Sequence, residues 1–162
     1  SVNVPGRFEI VSSGTDFTVI VDYAHTADSL ENILNAVKDF ARGRIICVFG
    51  CGGNKDRNRR FGMGEVSGRM ADLTVITSDN PRSEDPLAII NDIETGIKKT
   101  RGEYIKIVDR REAIKYAIEN AKAGDVVIIA GKGHETYQIF KDKTIHFDDR
   151  EVAKEILREI CT

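Results

Sequence analysis

The residues best suited to chemistry lie in one short run, Thr77-Ser78-Asp79-Asn80-Pro81-Arg82-Ser83-Glu84-Asp85-Pro86. Asp79, Asn80 and Arg82 put an anion, an amide and a planar cation side by side, while Pro81 fixes one φ angle and restricts Asn80 before it. A guanidinium grips a carboxylate through two parallel bonds, an acid accepts an ammonium, and an amide does both. The run therefore suits a ligand that carries an ammonium and a carboxylate. Asp85-Pro86 is plainer, a helix N-cap followed by proline at the first helical position.

Two glycine-bearing stretches could join it. Gly50-Cys51-Gly52-Gly53-Asn54-Lys55-Asp56-Arg57-Asn58-Arg59-Arg60 is glycine-rich and basic, and Gly131-Lys132-Gly133-His134-Glu135-Thr136 ends in an acid. Glycine beside a strand end lets a ligand approach the backbone closely. Asp79 stands where a ribose-binding acid would belong, so a stand-alone nucleotide-binding module is one reading. The dinucleotide fingerprint fails at its third glycine, where Lys55 and Thr136 stand, and neither stretch is a phosphate P-loop. The chain has no evident means of hydrolysing ATP unaided. His134 and His146 read as packed or structural side chains. Cys47 and Cys51 have no histidine nearby, so no metal site is expected.

The elements that must position these residues follow from hydrophobic spacing. Arg7 to Ser12 and Phe17 to Val21 read as a hairpin about the turn Ser13-Gly14-Thr15-Asp16. Leu30, Ile33, Leu34, Val37 and Phe40 mark one face of a helix. Ile45 to Phe49, Leu73 to Ile76, Tyr104 to Val108 and Val126 to Ala130 read as strands, the apolar ones covered on both faces. Between them lie a weaker helical segment from Met63 to Met70, a helix presenting Leu87, Ile90, Ile93 and Ile97, and one capped by Asp109 that carries Ala113, Ile114, Ala117, Ile118 and Ala121. A small hairpin is expected between Gln138 and His146, and a last helix from Asp149 presents Val152, Ile156, Leu157 and Ile160. Strands alternating with helices predict an α/β, Rossmann-like fold: a mainly parallel sheet flanked by helices, with a short N-terminal hairpin. The loops after Phe49, Ile76 and Ala130 then open on one sheet edge, and their side chains converge across one crevice.

Size and composition set bounds. With 162 residues and 41% hydrophobic content the chain fits a single domain, one that buries about 70% of its unfolded surface. A net charge of -2 with interspersed signs gives a polyanion such as nucleic acid nothing to hold. No apolar run reaches the roughly 18 residues of a spanning helix, and no signal peptide is legible. Three cysteines, an odd number, agree with a reducing compartment, so a soluble, cytoplasmic domain is expected.

Taken together, VPGRFE at Val4 to Glu9, DYAHT at Asp22 to Thr26, GCGGNKD at Gly50 to Asp56, DNPR at Asp79 to Arg82 and GKGHE at Gly131 to Glu135 resemble the C-terminal domain of the Mur ligases, most closely the MurE type. The resemblance spans essentially the whole chain. It implies a peptidoglycan-precursor ligase that phosphorylates the carboxylate of UDP-N-acetylmuramoyl-L-alanyl-D-glutamate with ATP and lets an amino acid attack the acyl phosphate. In such a three-domain enzyme, ATP and Mg2+ are bound mainly by a central domain and the UDP-sugar by an N-terminal one. Both are expected to be absent here, leaving no catalytic residue in this chain. By the same resemblance Arg7, Asp22 and His25 reach ATP on domain closure, while Lys55, Asp79, Asn80, Pro81, Arg82, Gly131 and Glu135 form the amino-acid site. DNPR is the form associated with meso-diaminopimelate, and L-lysine addition is the alternative within the family. Lys55 stands where relatives commonly have an arginine, keeping the charge and losing the planar fork.

Overall fold

The computed structural model describes residues 7–12 and 14–161. Val4 to Gly6 of the first motif and Ser13 of the expected turn lie outside the described residues. A main sheet runs in the order β1 (Glu9–Ile10), β2 (Thr18–Asp22), β6 (Val126–Ala130), β3 (Ile45–Phe49), β4 (Leu73–Ile76), β5 (Glu103–Lys106). Only β1 is antiparallel, so the expected hairpin is present but shorter, with Glu9 opposite Val21 and Ile10 opposite Ile20. The other five strands are parallel, which makes the architecture the expected Rossmann-like one. A second sheet, β7 (Tyr137–Ile139) with β8 (Thr144–His146), is the small hairpin.

Alternate side chains of each strand face opposite layers. Ile20, Cys47, Phe49, Ile76 and Ile128 pack beneath α1 (Ala27–Lys38), α2 (Asn58–Met70) and α3 (Pro86–Ile97). Val21, Ile46, Val48, Val75 and Ile129 pack beneath α4 (Arg110–Glu119) and α5 (Asp149–Ile160). Both faces of β3 and β6 are therefore buried, the reason their sequences are unbroken apolar runs. No described helix is long and apolar enough to cross a membrane.

Helix starts obey local chemistry. Thr26 accepts from the Ser29 amide and Ser29 answers the Thr26 amide, a reciprocal cap that fixes where the chain leaves β2. Asp85, Asp109 and Asp148 cap α3, α4 and α5. Two expected core positions fall outside the core. Phe40 lies beyond the end of α1 and is 46% exposed, meeting the Phe8 ring edge-on. Leu87, also 46% exposed, sits in the first turn of α3, and Ile89 is buried in its place. The strand expected to reach Val108 ends at Lys106, and Val108 is exposed.

The weak helical signal before Met70 has a physical cause. A Cβ on Gly64 would collide with the Ile93 carbonyl oxygen, and one on Gly96 with that of Phe61. Helices α2 and α3 thus approach backbone to backbone, using absent side chains where an amphipathic pattern would show large ones.

One buried ion pair ties the layers to the sheet edge. Arg110, without exposed surface on its side chain, donates Nε and Nη2 to Asp149 at 2.8 Å each, Nη1 to the Ser78 carbonyl at 2.9 Å and Nη2 to the Ala130 carbonyl at 3.1 Å. Burial works to lower the guanidinium pKa, but Asp149 outweighs it, and the group is held protonated. Arg110→Met leaves Asp149 buried and uncompensated, so a loss of about 3–5 kcal/mol in urea melts is expected. Replacing both, Arg110→Met with Asp149→Leu, should cost clearly less than the single change.

Candidate functional site

The parallel register sets Asp22 opposite Ala130 and Phe49 opposite Ile76. The loops that follow these four strand ends enclose a cleft of about 300 Å³ lined by Tyr23, His25, Gly50, Cys51, Gly52, Lys55, Arg59, Asp79, Asn80, Arg82, Gly131 and Glu135. Of the residues expected at an amino-acid site, Lys55, Asp79, Asn80, Arg82, Gly131 and Glu135 are thus brought together. Pro81 is not among the lining groups. It is buried against Gly53, whose amide donates to the Asn80 carbonyl at 2.8 Å, and it borders a separate groove beside Phe140. Arg7, Asp22 and His25 share a second hollow of about 280 Å³, and Tyr23 and His25 border both hollows.

The loop carrying Asp79 is held from below and from the side. Thr77 and Ser78 hydroxyls donate to the Val108 carbonyl at 3.2 and 2.8 Å. From the β7 strand, Gln138 Nε2 donates to the Asp79 carbonyl at 2.7 Å, and the Ile139 amide donates to Asn80 Oδ1 at 3.0 Å. Arg82 sits at φ 55°, uncommon for a residue with a Cβ, and is kept there by its amide bond to the Ile139 carbonyl at 3.0 Å. Its Nη1 donates to the Gly53 carbonyl at 3.1 Å, which aims the guanidinium across the cleft mouth.

The basic loop divides its cations. Arg60, 1% exposed, donates to Glu84 at 2.6 Å and to Asp92 at 3.0 Å, and Arg57 also bonds Asp92. These two arginines fasten the loop to α3 and to the segment after Arg82. Lys55 and Arg59 are left lining the cleft. Arg60, first through its hydrogen bond, holds Glu84 below the ordinary carboxylate range.

On the opposite wall, Lys132 is fully buried with its Nζ 3.8 Å from Asp79 Oδ1 and 3.7 Å from Glu135 Oε1, and it donates to the Tyr137 carbonyl. Burial pushes Asp79 up and Lys132 down from their ordinary values, against the mutual attraction of the opposite charges. Asp79 Oδ1 is buried without a hydrogen-bond partner. The cleft therefore has cations at one wall and carboxylates at another, the pattern a zwitterion complements.

Asp22 serves the backbone, with Oδ1 accepting from the Phe8 amide at 2.6 Å and Oδ2 from the Ala24 amide at 2.8 Å. His25 Nδ1 lies 2.9 Å from the Tyr23 carbonyl, which can only accept, so that nitrogen carries a proton. His134 is exposed, 6.2 Å from the Tyr23 ring, and His146 pairs with Glu151 at 2.7 Å on the surface. Among the described residues no group of three or more His, Cys, Asp or Glu side chains could hold a metal ion. The roles of Lys132, Arg110 and the β7–β8 hairpin were not legible as site features. A buried lysine has no periodic signature, and short polar strands carry a weak one.

The chain matches the family model described as Mur ligase, glutamate ligase domain, over residues 6–133. It is 59% identical over 158 residues to the UDP-N-acetylmuramoyl-L-alanyl-D-glutamate--2,6-diaminopimelate ligase of Caldanaerobacter subterraneus, covering 98% of this chain and 33% of that one. The ligase of the same description from Syntrophomonas wolfei is 59% identical over 156 residues, covering 96% and 32%. A solved structure of a ligase of that description superposes with a TM-score of 0.91 at 39% identity, covering all of this chain and 33% of the other. The chain spans about a third of the length of the curated relatives it matches.

Two measurements check this electrostatic layout. Burial raises the Cys47 and Cys51 thiols to about 12, so in the native protein at pH 8 a thiol reagent should label Cys161, which is exposed, and reach the other two only after unfolding. In urea melts against pH, Arg60→Met should cost about 1–3 kcal/mol at neutral pH. Glu84 and Asp92 both lie below their ordinary pKa values in the fold. The stabilisation by Arg60 is thus complete above the unfolded carboxylate range and fades as pH falls through the folded values, so the two proteins should converge in acid.

Proposed function

This chain belongs to the Mur ligase family, matching its glutamate ligase domain, and from that premise we propose that it is the amino-acid-binding C-terminal domain of a three-domain ligase. The proposed reaction adds meso-diaminopimelate to UDP-N-acetylmuramoyl-L-alanyl-D-glutamate at the expense of ATP. This would place the enzyme in peptidoglycan precursor synthesis in the cytoplasm, where its proposed nucleotide substrates are. The observation that carries the reading is the shared cleft of Arg82 and Glu135, with Asn80 between them in character and Asp79 beside them. Relatives at 59% identity bear the diaminopimelate name.

In this reading the donors of Arg82 that the Gly53 carbonyl leaves over take the distal carboxylate of the amino acid, with the Lys55 and Arg59 charges nearby. Glu135 and Asp79 take an ammonium at the other wall. Gly131, at φ 115° and pressed near Asp79, leaves the space a side chain would fill. Arg7, Asp22 and His25 fit the ribose and phosphates of ATP, whose role is to activate the acceptor carboxylate. Their hollow adjoins the amino-acid cleft through Tyr23 and His25, so domain closure would bring nucleophile and activated carboxylate to one wall. Mg2+ and most of the nucleotide contacts are assigned to the central domain.

L-lysine lacks the distal carboxylate and would leave Arg82 without its partner. A polar site missing its partner rejects a substrate by as much as roughly 10⁴-fold. A stand-alone dinucleotide module would need a third glycine where Lys55 and Thr136 stand, which favours the ligase reading.

In competition assays of the full-length enzyme, wild type should prefer diaminopimelate over lysine, and Arg82→Ala should bring the preference to near parity, chiefly by raising KM for diaminopimelate. Arg82→Lys should recover only part of it, because the charge returns without the fork. Undiminished discrimination in Arg82→Ala would remove Arg82 from the role.

A further inference from the structure

Lys132 combines two properties that rarely coexist in a lysine: no exposed surface, and a place between two acids that line a cleft. Its Nζ donates to the Tyr137 carbonyl and lies 5.6 Å from the Tyr137 ring centroid, so the ammonium is anchored away from the cleft space. The charged groups facing it are Asp79 from the loop after β4, Glu135 from its own loop, Arg110 from α4 and Asp149 from α5. Arg110 is committed to Asp149 by two hydrogen bonds. One buried ammonium is thereby shared, at nearly equal distances, by Asp79 and Glu135. The trio retains one uncompensated negative charge.

We propose that Lys132 is a positioning residue for amino-acid binding: an internal cation, 3.8 Å from Asp79 and 3.7 Å from Glu135, that holds the two carboxylates at one wall, so that the cleft is left wanting a single ligand ammonium. The inference rests on the amino-acid reading of the cleft. Burial already pushes the Asp79 carboxyl up while the Lys132 charge works against that rise, so without this cation Asp79 takes up a proton more readily. A protonated acid donates where an ammonium needs an acceptor. Lys132 prevents this, and its anchoring to the Tyr137 carbonyl prevents it from acting as a surrogate ligand in the cleft. A freely solvated lysine at the same place would swing in and compete for the acids it is there to charge.

The test uses the full-length ligase, with diaminopimelate and ATP as varied substrates and wild type run in parallel. Wild-type turnover of diaminopimelate checks the function reading by itself, and the variants then address Lys132. Lys132→Met is expected to raise KM for the amino acid at least about tenfold, leave KM for ATP within twofold, and move the acid limb of kcat/KM to higher pH. The sign follows because Lys132 works to lower the Asp79 pKa, so removing the cation raises it further and binding is lost at a higher pH as acid is added. In a Glu135→Gln background the same substitution should change KM much less, since one of the two acids that Lys132 holds is already gone. Unchanged KM and acid limb in Lys132→Met, or strictly additive effects with Glu135→Gln, would overturn the proposal. Should Lys132→Met not fold, Lys132→Arg decides. Its retained charge is expected to keep the acid limb at the wild-type pH even if its bulk raises KM, and a displaced limb in that variant would overturn the proposal.

Discussion

A buried guanidinium organises the sheet edge that carries the cleft. Arg110 reaches from α4 to the carbonyl at the end of β6 and to the Ser78 carbonyl just beyond β4, while Asp149 at the start of α5 neutralises it. A charge this deep is tolerable only when fully paired and hydrogen-bonded. That condition fixes the two loops in relation to one another, because moving either would leave a donor unmet. Arg82 descends from one of those loops and Glu135 from the other. The separation of the loops that carry Arg82 and Glu135 is therefore set by a salt bridge that neither residue makes.

The sheet was legible in the sequence wherever burial was two-sided. Ile45 to Phe49 and Val126 to Ala130 are unbroken apolar runs, and the parallel, helix-covered strands they imply are present. Legibility failed where packing uses small residues or where an element ends. Helix α2 hides its contact face in Gly64, opposite Gly96 of α3, so its sequence looks weakly amphipathic. Phe40 continued a numerical spacing after the helix that justified it had stopped, and Leu87 did so in a first turn before burial begins. Periodicity reports which face an element would bury, and tertiary context decides where the burying starts.

The site shows the same division. That Arg82, Asn80, Asp79 and Glu135 share one cleft was legible because their chemistry is explicit and their loops follow parallel strands. Within the basic loop, a run of cations could not reveal which were structural. Arg60 turns inward to Asp92 and Glu84 and Arg57 pairs with Asp92 from the surface, leaving Lys55 and Arg59 at the cleft. Gln138 and Ile139 brace the loop from a hairpin that is distant in sequence, through contacts no local pattern encodes.

These supports explain how a cleft so rich in charge stays open. Left to themselves, cations and carboxylates on adjacent loops would collapse into mutual pairs and leave nothing for a ligand. Here Arg82 and Lys132 each have a competing commitment. Arg82 spends one donor on the Gly53 carbonyl and is held at an unfavourable φ by the hairpin, while Lys132 donates to the Tyr137 carbonyl and meets the acids only at 3.7 and 3.8 Å. Contacts of that length attract without satisfying. A bound zwitterion would supply the closer partners at both walls, so the energy withheld by the protein's own geometry becomes available to the ligand.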